Sequence, residues 1–308
     1  MTDKPLVLLT GASGYVGGKL LTRLERDGVR TRCLVRDPAN FHRPVGATTE
    51  VVAGDAMKRS SLDAAMQGVT HAYYLIHSME GDESFENADR EAATNFGAAA
   101  REAGVQRIIY LGGLGAKGAD LSPHLRSRHE VGDILRESGV PVLEFRAAVV
   151  IGRGSISYEM IRALVNRLPV MITPKWVSVP TQPIAVTDLL QYLSAALNIP
   201  MDASTNYEIG GADQVTYGEI MRSYARLRGL SRMMVPVPVL TPGLSSLWLE
   251  FITPVQAKVG RKLIESIENP TVVTDTRALH DFDVKPVTME QALRDAIAEE
   301  ESASDRTP

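Results

Sequence analysis

The run Leu6-Val7-Leu8-Leu9, followed at once by Thr10-Gly11-Ala12-Ser13-Gly14-Tyr15-Val16-Gly17, constrains this chain more than any other feature. A short, unbroken apolar run is the pattern of a strand buried on both faces of a parallel sheet. Glycines at spacing three and three then form a tight turn, and Leu20, Leu21 and Leu24 recur at helical spacing until Asp27-Gly28 ends the element. Strand, glycine-rich turn and helix in that order open a dinucleotide-binding unit. A pyrophosphate needs donors without bulk, and the glycines let backbone N–H groups approach it while the helix N-terminus supplies positive potential.

The same alternation continues and predicts an α/β fold with a doubly wound parallel sheet. Strands are expected at Thr31 to Val35, Glu50 to Ala53, Ala72 to Ile76, Arg107 to Leu111 and Val142 to Phe145. Helices are expected at Ser61 to Gln67, Glu83 to Ala103 and around His129 to Glu137. Beyond residue 152 prolines break the pattern, leaving Val186 to Leu197, Tyr217 to Arg228 and Gln256 to Ile267 as helices among isolated extended pieces. This gives a nucleotide-binding part over 1–152 and a smaller C-terminal substrate lobe over 153–300, with residues 181–197 returning to the first part. Residues 301–308 read as a frayed tail.

Composition narrows the functional classes. The chain of 308 residues is 44% hydrophobic and 23% charged, which excludes wholesale disorder. The net charge is −4 and no block of like charge tracks a phosphate backbone, so nucleic acid is not an expected partner. Cys33 is the only cysteine, which excludes an intrachain disulfide and a Cys-based zinc site, and no metal site is expected. No stretch reaches the ~18 uncharged apolar residues of a membrane span. A soluble cytoplasmic protein is the expectation.

Cofactor choice turns on the residue after the second strand, because a carboxylate there accepts from the ribose 2'-OH of NAD whereas an arginine pairs with the 2'-phosphate of NADP. Arg36 follows Val35 and favours NADP(H), while Asp37 leaves NAD(H) open. A solvated surface arginine is the plain alternative for Arg36. Gly54-Asp55, after the third strand, is placed to approach the adenine edge, with a helix cap as the alternative for Asp55.

These residues resemble a known family. Thr-Gly-Ala-Ser-Gly-Tyr-Val-Gly at 10–17, Leu-Val-Arg-Asp-Pro at 34–38, Gly-Asp at 54–55, Ala-Gly-Val-Gln-Arg-Ile-Ile-Tyr-Leu at 103–111 and Ser-Gly-Val-Pro-Val-Leu-Glu-Phe-Arg at 138–146 are similar to the short-chain dehydrogenase/reductase superfamily, in its atypical, NmrA-like branch of NAD(P)-binding Rossmann proteins. The likeness covers about residues 5 to 200. It implies a cofactor site at Gly11, Ser13, Gly14, Tyr15, Val16, Gly17, Arg36, Gly54 and Asp55, with Leu75, Ile76 and His77 in a cofactor-facing turn. For His77 a capping or core role stands beside that one. The segment from Thr181 to Asp188 resembles the stretch that re-enters the nucleotide-binding part in this branch, where Asp188 would cap a helix.

Catalytic members of that superfamily carry a serine at the end of the fifth strand and a Tyr-x-x-x-Lys pair in the next helix. The tyrosine handles a proton at the substrate oxygen, and the lysine lowers its pKa and holds the nicotinamide ribose. Here the strand runs into Leu111-Gly112-Gly113-Leu114-Gly115, and the helix places His124 and Arg128 where the pair would stand. His124 is a titratable substitute for the tyrosine or an ordinary residue at a helix start; Arg128 holds ribose, contacts the cofactor or is solvated. His129 is a further candidate. The apolar stretch from Met233 to Val259, with Trp248, Phe251 and Ile252, either lines a substrate pocket or packs the second lobe. The resulting expectation is an NAD(P)H-dependent oxidoreductase for a hydrophobic or quinone-like small molecule. Its rival is a noncatalytic redox sensor that presents the dinucleotide to a protein partner.

Overall fold

The computed structural model describes residues 5–76, 84–115, 121–236 and 269–304. The opening apolar run becomes β1 (Leu6–Thr10), buried along its whole length. Alternation along it splits the core: Val7 and Leu9 face one side, Leu6 and Leu8 the other. The turn leads into α1 (Tyr15–Arg26), and the chain continues through β2 (Arg30–Val35), β3 (Thr49–Ala53), α2 (Arg59–Ala65), β4 (Val69–Tyr74), α3 (Ser84–Glu102), β5 (Arg107–Gly113), α4 (Pro123–Glu137) and β6 (Val142–Ala147).

These strands form a parallel sheet of seven in the order β11-β6-β5-β4-β1-β2-β3, with β11 spanning Thr205–Ile209. The chain steps outward from β1 in one direction and then in the other, the doubly wound Rossmann arrangement. Its switch point lies at the carboxyl ends of β1 and β4. On one face Leu20, Leu21 and Leu24 of α1 pack with Leu189, Tyr192 and Leu193 of α6 (Val186–Ala195). On the other, Leu62, Phe96, Val131 and Leu135 from α2, α3 and α4 cover the sheet. Helices on both faces leave the strand ends as the place where a ligand meets backbone.

Strand β11 lies in the stretch expected to hold only isolated extended pieces. Strand β11 and the short helix Ala278–Asp281 lie outside the residues 181–197 expected to return to the sheet. Phe282 beside that helix packs edge-on to Tyr207 at 5.0 Å and near Phe145 at 5.4 Å. β11 covers the edge that β6 would otherwise expose, and these aromatics fill the core beside the pair.

A third apolar cluster is separate from the sheet. It joins Tyr158, Ile161 and Leu164 of α5 (Ile156–Arg167), Trp176, and Ile220 and Tyr224 of α7 (Tyr217–Leu227) with Leu293 of the C-terminal helix Met289–Ser304. Residues 301–304 belong to that helix and not to the frayed tail expected from 301. His77, the helix expected at Gln256 to Ile267, positions 237–259 of the apolar stretch and positions 305–308 lie outside the described residues.

Asp188 does not cap α6. Extended Ala185 occupies the N-cap, and the buried Asp188 carboxylate accepts from the Val287 N–H at 2.8 Å. It ties the C-terminal segment to α6. Burial raises its pKa, an effect the Val287 hydrogen bond opposes.

Candidate functional site

Steric requirements define the turn after β1. Gly11 adopts φ +72°, and a Cβ there would stand 2.5 Å from the Leu75 carbonyl oxygen at the end of β4. A Cβ on Gly17 would overlap the Gly11 carbonyl. Gly14 donates its N–H to the Gly11 carbonyl at 2.9 Å and serves as the N-cap of α1 with no side-chain cap. The first turn of α1 therefore points uncapped N–H groups outward from a surface made of backbone, which fits an anionic pyrophosphate. Thr10 links the strands beneath, donating to the Tyr73 carbonyl at 2.8 Å and accepting from Leu75 N–H at 3.1 Å.

The remaining turn residues divide. Val16 packs on the core beside α1, while Tyr15 reaches the turn after β7 (Val150–Ile151), where its buried hydroxyl lies against Gly152 without a hydrogen-bond partner. A side chain at 152 would overlap that hydroxyl. Burial raises the Tyr15 pKa, and Glu299 and Glu159 push it further up. The Lys19 ammonium stands 5.6 Å from the ring centroid and pairs with Glu299 at 2.9 Å.

At the end of β2, Arg36 is exposed, whereas Asp37 is engaged. Its carboxylate caps the following turn, accepting from Ala39 N–H at 3.0 Å and from the Asn40 side chain at 2.6 Å. The same loop supplies a residue that the sequence reading missed. Arg43 lies across the start of α1 and donates to the carbonyls of Gly14 at 3.1 Å and Ser13 at 3.4 Å. Any side chain on Gly18 would overlap its guanidinium, so an extra glycine beyond the usual three is the signal that was present. Asp55 does not cap α2, whose N-cap is Lys58; its carboxylate accepts from Met57 N–H at 3.0 Å and shapes the turn after β3. Gly54 packs against Leu34, with no room for a Cβ. Leu75 and Ile76 turn to opposite faces of the sheet, one into each core.

The end of β5 is built differently. Glu144 and Arg146 occupy alternate positions of β6 and are both buried. Arg146 donates to Glu144 at 2.9 and 3.1 Å, and Arg136 of α4 donates to the same carboxylate at 2.6 Å. Burial depresses the Arg136 pKa, but its hydrogen bonds to Glu144 and Asp133 outweigh that and raise it. A Cβ on Gly112 would come within 2.6 Å of a Glu144 carboxylate oxygen, and one on Gly132 within 3.0 Å. The glycine at the expected serine position is the space the buried carboxylate needs.

Helix α4 presents its candidates to this region in different ways. Ser122 caps the helix through Leu125 N–H at 3.3 Å and Pro123 is its first residue, so His124 sits in the first turn, half-buried. Arg128 folds back to donate to the Leu111 carbonyl, with its Nε buried and unpartnered. The His129 ring contacts the Gly113 carbonyl through Nε2 at 3.1 Å. Burial lowers the His129 pKa and Arg146 lowers it further, against the opposing pull of that carbonyl, Glu144 and Asp133. Arg128 and His129 both brace the end of β5, a role that sequence placement did not anticipate for either. Cys33 is buried in the sheet with its thiol pKa pushed up to about 12, first by burial and then by Glu25.

Comparison with known proteins accords with this geometry. A family described as NAD(P)H-binding matches residues 11–162. The chain is similar to a ceramide reductase of Caulobacter vibrioides, with 30% identity over 248 residues covering 77% of this chain and 76% of that protein. It is also similar to the photosystem II assembly factor Ycf39 of Trieres chinensis, with 23% identity over 236 residues covering 76% and 72% of the two. Among solved structures, a nucleoside-diphosphate-sugar epimerase from Staphylococcus aureus superposes with a TM-score of 0.76 at 15% identity, over 94% of this chain and 99% of that one, a likeness of fold. Among the described residues no helix is long and apolar enough to cross a membrane. The chain belongs to the NAD(P)H-binding family, and its fold is the Rossmann-like α/β fold of its solved structural neighbours.

Proposed function

We propose that this chain is a cytoplasmic NADP(H)-dependent reductase acting on a carbonyl of an apolar, lipid-like or quinone-like small molecule. One observation carries the reading: the uncapped, backbone-lined N-terminus of α1 at Gly14 belongs to a chain that aligns over 77% of its length with a ceramide reductase. The bound dinucleotide supplies a hydride, and the chain supplies position and electrostatics.

In this reading Gly11, Ser13, Gly14, Tyr15, Val16 and Gly17 admit the pyrophosphate to the helix N-terminus. Arg36 pairs with the 2'-phosphate of NADP(H). Asp37 is held by Ala39 and Asn40, which supports that choice over NAD(H) because a carboxylate so engaged is not turned toward a ribose. Arg43, already lying over the turn, adds a second guanidinium to the same edge. Gly54, Asp55, Leu75 and Ile76 border the adenosine, and the cluster around Tyr158 and Trp176 forms the substrate-side part.

His124 is the titratable group offered at the proton-donor position, and Arg128 orients the ribose side by bracing the end of β5. A second reading keeps the cofactor site and drops catalysis. It is favoured by the Glu144 carboxylate filling the space beside Gly112, and by the likeness to an assembly factor.

The test is NADPH oxidation at 340 nm with long-chain ketones and quinones in mixed micelles, run beside NADPH and NADH titrations. Turnover with NADPH, and a loss of about 100-fold or more in His124→Phe with unchanged cofactor affinity, supports the reductase with His124 as donor. Turnover insensitive to His124→Phe removes the histidine and keeps the reductase. Tight NADPH binding with no turnover on any member of the panel selects the sensor.

A further inference from the structure

Strand β8 (Val170–Thr173) and strand β13 (Met233–Pro236) pair in parallel away from the main sheet, with Met233 opposite Val170 and Val235 opposite Ile172. Alternation gives this two-stranded ribbon two faces. Met171, 2% exposed, and the partly buried Met234 seat the inner face on the cluster of α5, Trp176 and α7. On the outer face Val170, Ile172, Met233 and Val235 are 50%, 44%, 61% and 39% exposed. These four are most of the large apolar side chains exposed among the described residues, and they lie side by side. A contiguous apolar patch on an anchored ribbon marks an interaction surface, because fraying does not account for it.

Among the described residues, the charges next to the ribbon in sequence have one sign. Arg232 immediately precedes β13 and is held by the carbonyls of Val165 at 2.5 Å and Asn166 at 3.3 Å. The Arg222 guanidinium reaches the Met234 sulfur at 3.6 Å, Lys175 follows β8, and Arg167 precedes it. Neither Ala163 to Val179 nor Gly229 to Pro236 contains an Asp or Glu. Glu219, the acid near Arg222, is committed to the capping box with Thr216 at the start of α7. The protein as a whole carries a net charge of −4, so this cationic rim is local.

We propose that the β8–β13 ribbon is a docking surface for an anionic lipid bilayer, with Val170, Ile172, Met233 and Val235 entering the headgroup boundary and Lys175 and Arg222 meeting lipid phosphates. Aliphatic side chains ringed by cations are the pattern of interfacial attachment. A second copy of the chain fits poorly, because a two-fold contact through this patch would bring the two cationic rims together. A protein partner fits less well too, since among the described residues the patch has no aromatic anchor of the kind that dominates protein interfaces. The proposal stands apart from the reductase reading, because attachment to lipid needs no cofactor.

The test is flotation of the full chain with phosphatidylcholine vesicles, with and without phosphatidylglycerol. Binding is expected only with the anionic lipid, and raising salt from about 0.1 M to about 1 M should release the protein as screening shortens. The double variant Val170→Asp/Met233→Asp should lower the bound fraction about tenfold or more. Lys175→Glu should lower it less. Both substitutions are on exposed side chains, and unchanged NADPH affinity and thermal melting certify the fold. No binding to anionic vesicles, or binding that the double variant leaves intact, overturns the proposal. A double variant that instead dissociates an oligomer in sedimentation velocity reassigns the face to a contact between copies and overturns it as well.

Discussion

The strand ends after β1 and after β5 are built in opposite ways. After β1 the turn is defined by what is missing: Gly11, Gly17 and Gly18 each leave room that a Cβ would take from a carbonyl or from Arg43. After β5 the glycines at 112 and 132 also leave room, but the buried Glu144 carboxylate fills it and two arginines hold that carboxylate. An empty backbone cradle is suited to receive a phosphate. A filled one is suited to hold β5, β6 and α4 in fixed register. The contrast is one of steric design: the first turn is kept clear of side chains, and the second strand end is packed by a charged one.

The most severe way to break the second region is to remove the central carboxylate. Glu144→Ala leaves Arg146 buried without its charge partner and Arg136 with Asp133 alone. Loss of one partner from a buried ion network costs about 3–5 kcal/mol. Urea denaturation at pH 7 should show a loss of that size. A loss below about 1 kcal/mol would mean that water satisfies the arginines and that the network does not hold the strand end.

How far each region was legible follows from the same contrast. Steric demands of backbone are written as residue identity, so Gly11, Gly14 and Gly17 announced the turn, and the α/β alternation announced the sheet. The charged network was not read, although Glu144 and Arg146 stand at alternate positions of a strand otherwise apolar, a pattern that demands mutual pairing inside a core. Arg43 escaped because a loop has no periodicity to place its side chains. Asp188 was taken for a cap by its position near a helix start, whereas extended Ala185 fills that role and tertiary structure brings Val287 to the carboxylate. Strand β11 was hidden because Thr205-Asn206-Tyr207-Glu208-Ile209 buries only alternate residues at the sheet edge.

The first region is sharpened by separating its two arginines. Arg36→Ala should weaken NADPH about 10- to 100-fold, the loss of charge-assisted hydrogen bonds to a phosphate, while NADH affinity changes little. Arg43→Ala should act less selectively, because its guanidinium already donates to the Ser13 and Gly14 carbonyls and shapes the turn that both cofactors share. Calorimetric titration of both dinucleotides against both variants checks this. Equal losses for NADPH and NADH in Arg36→Ala would return the choice between cofactors to Asp37.

The smallest expected effect tests whether the filled region is as closed as its geometry requires. Burial, with help from Arg146, lowers the His129 pKa, so the folded protein disfavours the imidazolium that the unfolded chain accepts near its ordinary value of ~6.5. Between the lowered folded value and about 6.5 the unfolded state binds more protons, and stability therefore falls as pH drops through that window and is recovered above it. His71 is shifted the same way by burial and Arg107 and contributes to the same slope from the opposite end of the sheet. His129→Gln keeps a side-chain donor for the Gly113 carbonyl and removes the titration, so its denaturation midpoint should match the wild type at pH 8 and decline less steeply below pH ~6.5. Each pH unit of the window is bounded by about 1.4 kcal/mol per histidine, which sets the largest difference between the two slopes. Identical slopes would show that solvent reaches His129, and that the end of β5 is open enough for a substrate group to enter beside Gly113.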